Sequence, residues 1–169
     1  QISNTTGASK PGVRAGMAYA SDTSADKLYI YGGWVGGTLK QDAYKMDLNN
    51  KNWSNICSPC TNMMMVPYAP ISNASMYYNP VTKSIEVSGG EFGNNVDDLT
   101  MSWSTLSPMP FWNNMSNLPS PRTRQSEIYD DNLYRSIIFG GMDNNSNPTN
   151  TVFIKKNVTN WSDISPSSF

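Results

Sequence analysis

A pair of adjacent glycines follows a short strand-like run at three places in this chain. The three segments are Leu28-Tyr29-Ile30-Tyr31-Gly32-Gly33, Ser84-Ile85-Glu86-Val87-Ser88-Gly89-Gly90 and Arg135-Ser136-Ile137-Ile138-Phe139-Gly140-Gly141. Their second glycines lie 57 and 51 residues apart, so one unit of similar length repeats along the chain. Because glycine tolerates positive φ, each pair predicts a tight corner after an inner strand.

The sequence around the glycine pairs repeats as well. Gly33 and Trp53 are 20 residues apart, and so are Gly141 and Trp161. Similar segments precede the first and third glycine pairs, namely Pro11-Gly12-Val13-Arg14-Ala15-Gly16 and Pro119-Ser120-Pro121-Arg122-Thr123-Arg124. Two independent spacings therefore agree, which favours a tandem array of strand-and-turn units over three unrelated turns.

The second unit departs from this pattern. Gly90 and Trp103 are only 13 residues apart, which predicts a truncated outer hairpin whose outermost strand is short or missing. The tyrosine that stands at Tyr44 in the first unit is absent here, and Leu99 or Met101 would replace it.

The tryptophans fall into two predicted groups. Trp53, Trp103 and Trp161 follow the glycine pairs in each unit and are expected to pack between neighbouring sheets. Trp34, Trp112 and the neighbouring Phe111 fall in predicted loops, together with the methionine-rich stretch at 63–65. These are candidate contact residues, although local packing is the simpler interpretation of each.

The combination of diglycine, apolar strand and tryptophan at fixed offsets resembles the Kelch repeat family over nearly the whole chain. The resemblance implies an all-β fold made of β-propeller blades, each a four-stranded antiparallel sheet, in an incomplete array. The predicted organisation is one partial propeller: 1–10 as the end of a preceding blade, 11–60 as blade A, 61–110 as blade B with a shortened outer hairpin, and 111–169 as blade C.

Three blades do not make a closed propeller. Propellers generally close with four to eight blades, because an open stack leaves two blade faces unburied. The remaining blades are expected in the same longer polypeptide, and neighbouring chains are the alternative source.

Composition excludes several classes of chemistry. The chain contains no histidine, which removes the commonest general base and a frequent metal ligand, so we predict no catalytic residues, no metal site and no cofactor in this segment. Twelve basic and 13 acidic residues without a basic cluster argue against nucleic acid as a partner. Apolar runs are too short for a membrane span. The acidic pairs Asp97-Asp98 and Asp130-Asp131 fit turns better than catalysis.

Cys57 and Cys60 form the only cysteine motif. A local disulfide is favoured over free thiols, because the second half of a zinc site and a surrounding βαβ pattern are both lacking. Such a bond would place the protein in an oxidising compartment.

Seven asparagines stand in N-glycosylation sequons. They are Asn4, Asn52, Asn73, Asn114, Asn144, Asn157 and Asn160. Together with the expected disulfide, they predict a secreted or cell-surface glycoprotein.

The sequence is compatible with three functions. The favoured one is a non-catalytic structural or interaction module, an extracellular propeller whose loops contact protein subunits, matrix or glycans within a larger assembly. An alternative is a segment of a galactose-oxidase-like or other carbohydrate-active enzyme whose catalytic residues lie outside this segment. The third is an intracellular Kelch adaptor. The fold itself cannot decide among them.

Overall fold

The structure, a computed structural model, describes residues 9–60, 71–107, 112–156 and 160–166. Within these ranges the protein is all-β, with three four-stranded antiparallel sheets and two small hairpins. The fold class expected from the sequence is confirmed. The three sheets form an open arrangement like part of a propeller.

The first sheet contains four strands in sequential order. They are β1 (Ala18–Asp22), β2 (Lys27–Tyr31), β5 (Ala43–Asp47) and β6 (Asn52–Cys57). A separate hairpin of β3 (Trp34–Val35) and β4 (Thr38–Leu39) lies between the second and third of these strands.

The second sheet repeats this plan. Its strands are β7 (Ser75–Asn79), β8 (Ser84–Ser88), β11 (Thr100–Ser104) and β12 (Trp112–Asn114), and the intervening hairpin is β9 (Glu91–Phe92) with β10 (Asn95–Val96). The outermost strand is short, as predicted, but it is present and paired with β11.

The third sheet contains β13 (Ser126–Asp130), β14 (Arg135–Phe139), β15 (Val152–Lys156) and β16 (Trp161–Asp163). In place of a paired hairpin, the loop after β14 is held by isolated bridges from Met142 to Thr123 and to Pro148. The first strands of the three sheets, β1, β7 and β13, lie side by side with β7 in the middle. We call these the inner strands.

The glycine pairs occupy the same position in all three sheets. Each pair follows the second strand, and all six glycines have positive φ. A Cβ at Gly32 would lie 2.3 Å from the carbonyl oxygen of Ile71, and one at Gly89 would lie 2.5 Å from that of Arg122. The glycines therefore allow the backbone of the next sheet to approach closely, in addition to making the predicted corner.

The strand register shows that the tryptophans of the three sheets do not correspond as the sequence spacing predicted. Trp53 on β6 lies opposite Met46, and Trp161 on β16 lies opposite Lys155. In the second sheet the residue in this place is Trp112 on β12, which lies opposite Trp103 on β11. The prediction that Trp103 is the counterpart of Trp53 was wrong, and so was the loop placement of Trp112. The connection between β11 and β12 is longer than in the other sheets, which shifts the spacing from the glycines.

This register has two further consequences. The second sheet extends to Asn114, beyond the boundary predicted at residue 110. Met101, one of the two predicted substitutes, takes the position of Tyr44, and Phe153 takes it in the third sheet.

The first two sheets pack through an aromatic core. Trp112 is 2% exposed, and its ring centroid lies 4.5 Å from that of Trp103 and 4.9 Å from that of Tyr31. Tyr29 meets Trp103 edge-on at 6.2 Å. The predicted packing role of Trp103 is confirmed, since it fills the space between the sheets together with Trp112.

No helix in the described ranges has the length and apolar character needed to cross a membrane.

Candidate functional site

The second sheet presents two chemically different faces. The face toward the first sheet is apolar and carries Met76, Ile85 and Val87 among others. The face toward the third sheet carries Ser75, Tyr77, Asn79, Ser84, Glu86 and Ser88, all buried. Because strand side chains alternate between faces, the polar set projects as a group into the interface with the third sheet.

A buried ion pair lies in this interface. The Lys155 ammonium on β15 contacts the Glu86 carboxylate on β8, and the two side chains are 0% and 1% exposed. The amide of Asn79 donates a second hydrogen bond to Glu86 at 3.1 Å. The Lys155 ammonium also lies 5.0 Å from the centre of the Trp161 ring. Each charge therefore has a partner, which buried charges require.

Glu127 on β13 adds a second carboxyl group to the interface. It accepts hydrogen bonds from the hydroxyls of Ser75 at 2.5 Å and Ser136 at 2.7 Å. Burial raises the pKa of Glu127 to about 7, and the two hydroxyls and Lys155 oppose this rise. Gln125 supports the arrangement, because its amide donates to the Ser75 hydroxyl at 3.0 Å.

Two tyrosines on the inner strands belong to the same interface. The rings of Tyr77 and Tyr129 stack with centroids 5.2 Å apart and planes 10° from parallel. Burial, and then the nearby Glu86 and Glu127, raise the pKa of Tyr77 well above its usual range. Both phenols therefore stay protonated at neutral pH, and the ionisable chemistry of the interface rests on the two glutamates and Lys155.

A cavity of about 360 Å³ opens beside this network at one end of the inner strands. Its walls include Tyr19, Tyr78, Glu127, Tyr129 and Asp131. Aromatic rings and hydroxyls dominate the lining.

Asp22 lies in the wall of this cavity and accepts several hydrogen bonds. Burial raises its pKa, but hydrogen bonds from Ser24, from Tyr78 and from the amide of Ala25 outweigh that effect, so the pKa lies below its usual range. Asp22 thus has a structural role in the turn after β1.

The opposite end of the sheets carries the two hairpins and the loop after β14, and we call it the hairpin end. A repeated contact joins neighbouring sheets there. The Trp34 indole donates to the Ser72 hydroxyl at 3.0 Å, and in the next sheet the Thr123 hydroxyl donates to Glu91 at 3.0 Å. Trp34 remains 37% exposed, so it serves in packing between sheets and is still accessible.

A second cavity of about 430 Å³ lies at the hairpin end, lined by Glu91, Arg124 and Asn144 among others. Glu91 accepts a hydrogen bond from the Asn73 amide at 3.0 Å and lies 3.4 Å from the Arg124 guanidinium. The carboxylate is thus held by the loops of two sheets.

Two arginines anchor the segments that precede the inner strands. Arg14 donates to the Gly32 carbonyl at 2.9 Å and pairs with Asp42 at 2.7 Å. Arg122 donates to the Gly140 carbonyl at 3.2 Å, and its guanidinium lies 3.6 Å from the Phe153 ring centre. Burial lowers the pKa of Arg122 to about 10, which leaves the group charged at neutral pH.

The sequon asparagines are scattered over the molecule. Asn52, Asn114, Asn144 and Asn160 are exposed, and Asn114 is the last residue of β12. Asn73 differs, because it is partly buried, has positive φ and uses its amide to bind Glu91. Asn4 and Asn157 lie outside the described residues, as does Phe111.

The two cysteines are joined. Cys57 at the end of β6 and Cys60 form a disulfide with a Cα–Cα distance of 4.8 Å. Cys60 is buried against the first sheet, where its amide donates to the Gln41 carbonyl. The predicted disulfide is present and fastens the chain after the first sheet.

The acidic pairs serve turns. Asp130 accepts hydrogen bonds from the amides of Asn132 and Leu133 in the turn between β13 and β14. Asp97 accepts one from the amide of Leu99. These contacts match the turn chemistry predicted for both pairs. Among the described residues, no three side chains of the metal-binding types cluster together.

No protein-family model matches this chain, and no curated protein resembles it closely enough to count as a relative.

Sequence reasoning missed the Glu86, Lys155 and Glu127 network. The alternation in Ser84-Ile85-Glu86-Val87-Ser88 is typical of a strand with one face in water. In the structure all five residues are buried. The repeat could have indicated this network. Consecutive units must pack on one another, so a buried polar face in one unit requires polar partners in the next unit.

Proposed function

We propose that this chain is part of a Kelch-type β-propeller that acts as a non-catalytic interaction module. In this proposal the protein is an extracellular glycoprotein, and its loops contact protein subunits, matrix or carbohydrate within a larger assembly. Further blades, from the same polypeptide or from neighbouring chains, complete the propeller.

The propeller part is supported by the repeated relation between sheets. The first two glycine pairs meet the segments that lead into the next inner strand, and Gly33 and Gly90 donate to the carbonyls of Ile71 and Arg122, both at 2.8 Å. The third sheet has an equivalent face that a following sheet could cover. We call this face the outer face, and it carries Ile128, Ile137, Phe139, Val152 and Ile154. Ile128 is 60% exposed and Phe139 is 57% exposed, which favours a covering partner.

The non-catalytic part rests on one observation, the engagement of the acidic side chains. Glu86 is paired with lysine, Glu91 with arginine, and Glu127 is held by serine hydroxyls. Groups held in this way stabilise the contacts between sheets. The accessible side chains at the hairpin end, including Trp34, are then the natural contact surface.

The extracellular part is supported by the disulfide and by the exposure of four sequons. Glycopeptide mass spectrometry of the protein purified from its native source tests it. We expect N-glycans on some or all of Asn52, Asn114, Asn144 and Asn160, because their side chains are exposed. We expect none on Asn73, because its partly buried amide nitrogen is engaged with Glu91 and a glycan there would crowd the adjacent sheet.

The intact mass before and after enzymatic removal of N-glycans provides the control. A drop in mass is the expected result. A protein with no N-glycans and with reduced Cys57 and Cys60 would contradict the extracellular assignment and favour an intracellular adaptor. A glycan on Asn73 in the folded protein would contradict the structural argument alone.

A further inference from the structure

The interface between the second and third sheets encloses an unequal number of charges. Glu86 and Glu127 bring two carboxyl groups, whereas Lys155 is the only cation that faces them among the described residues. Lys155 is already paired with Glu86. Ionised Glu127 would therefore leave one net negative charge between the packed sheets, where the carboxyl group meets water only on the side of one cavity. A charge without a cationic partner is costly in such a place.

We propose that this interface is a pH-responsive junction, which is tight in mildly acidic solution and weakens as the pH rises through neutrality because the Glu127 carboxyl group ionises.

The groups around Glu127 permit this behaviour. From the second sheet, Ser75, Tyr77 and Glu86 face it, and from the third sheet Ser136, Lys155 and the stacked Tyr129 lie nearby. Of these, only Glu86 and Lys155 are charged at neutral pH, and they neutralise each other. Serine hydroxyls can rotate to donate to a carboxylate or to accept from a carboxylic acid, so they tolerate both states of Glu127.

Proton access is provided by the cavity at the inner strands. Glu127 forms part of its wall, so water can reach the carboxyl group without separation of the sheets. The junction can therefore follow the pH of its surroundings.

The direction of the effect follows from proton linkage. Glu127 has a pKa of about 7 in the folded protein and an ordinary value of 4.5. Between these values the folded state holds a proton that the unfolded state has released. The stabilisation is complete below the lower value and is lost as the pH rises through the upper one. Asp22, Asp47, Asp130, Asp143 and Asp163 have lowered pKa values, so their contributions change only below about 4.

Denaturant unfolding of the purified protein at pH 5 and at pH 8 tests the proposal. The two pKa values predict that the equilibrium constant for unfolding rises roughly 70-fold over this range. Glu127→Gln copies the uncharged acid and should remove most of that rise. Asp131→Asn is the matched control, because Asp131 is an exposed acid of the same cavity wall, and the rise should persist in it.

A spectroscopic readout keeps the test decisive if Glu127→Gln does not fold. The infrared spectrum of the unmodified protein should show a protonated carboxyl band that fades as the pH passes about 7. Removal of one hydroxyl donor in Ser136→Ala should move this transition to higher pH. Absence of the band at pH 6, or a 70-fold change that survives in Glu127→Gln, would overturn the proposal.

Discussion

Lys155→Met is expected to lower the free energy of unfolding by about 3–5 kcal/mol at neutral pH. The substitution keeps the length and apolar stem of the side chain but removes the ammonium that neutralises Glu86. Glu86 would then be a buried carboxylate beside Glu127 with no cation facing it. Equilibrium denaturation monitored by tryptophan fluorescence would measure the loss, since Trp161 lies next to the ammonium.

Two variants separate the charge effect from a general loss of packing. Lys83→Met changes an exposed lysine in the turn between β7 and β8, away from the buried interface, and should cost less than about 0.5 kcal/mol. Glu86→Gln combined with Lys155→Met removes both charges and should recover a large part of the stability, because the unpaired carboxylate is gone. If the double variant were as unstable as the two single losses added together, the ion-pair explanation would fail.

Trp112→Ala is expected to cost about 3–5 kcal/mol, because it opens a large cavity in the core between the first and second sheets. Trp112 packs against both Tyr31 and Trp103 and is almost completely buried. The expected loss follows directly from the corrected register, since a tryptophan in an exposed loop would cost little. Thermal or denaturant unfolding measures it.

Phe92→Ala is the matched control for this variant. Phe92 lies in the hairpin of β9 and β10 and is 45% exposed, so its removal should change stability by no more than about 0.5 kcal/mol. Equal effects of the two substitutions would mean that Trp112 does not lie in the core and that the strand register is wrong.

The repeat allowed the fold to be predicted because the corner after each second strand can be made only by glycine. Positive φ and close backbone approach demand glycine, so the pairs at 32–33, 89–90 and 140–141 mark the same corner in each sheet. The tryptophans were less reliable markers. Both Trp103 and Trp112 are large residues on adjacent strands of one apolar face, and spacing alone cannot tell which strand each occupies.

The candidate site was harder to predict than the fold. Glu86, Glu127 and Lys155 are far apart in sequence, and the alternation of polar and apolar residues around Glu86 would suit a solvent-exposed face. Only the packing of one sheet on the next shows that these alternate positions are buried together. Local patterns report which residues share a face, but they do not report what covers that face.

The most direct test of the propeller proposal is whether a further sheet covers the outer face of the third sheet. Ile128→Cys and Leu106→Cys would each introduce one thiol, since the native cysteines are joined in a disulfide. Leu106 is 77% exposed and lies in the turn after β11, away from the outer face, so it serves as the reference. The measurement is the rate at which a thiol reagent labels each folded variant, with circular dichroism confirming the fold.

If a further sheet covers the outer face, the thiol at position 128 should react at least about tenfold more slowly than the thiol at position 106, because a buried group reacts only when the structure opens. Equal labelling rates would show that the outer face is open to solvent in the native protein, and would contradict a completed propeller.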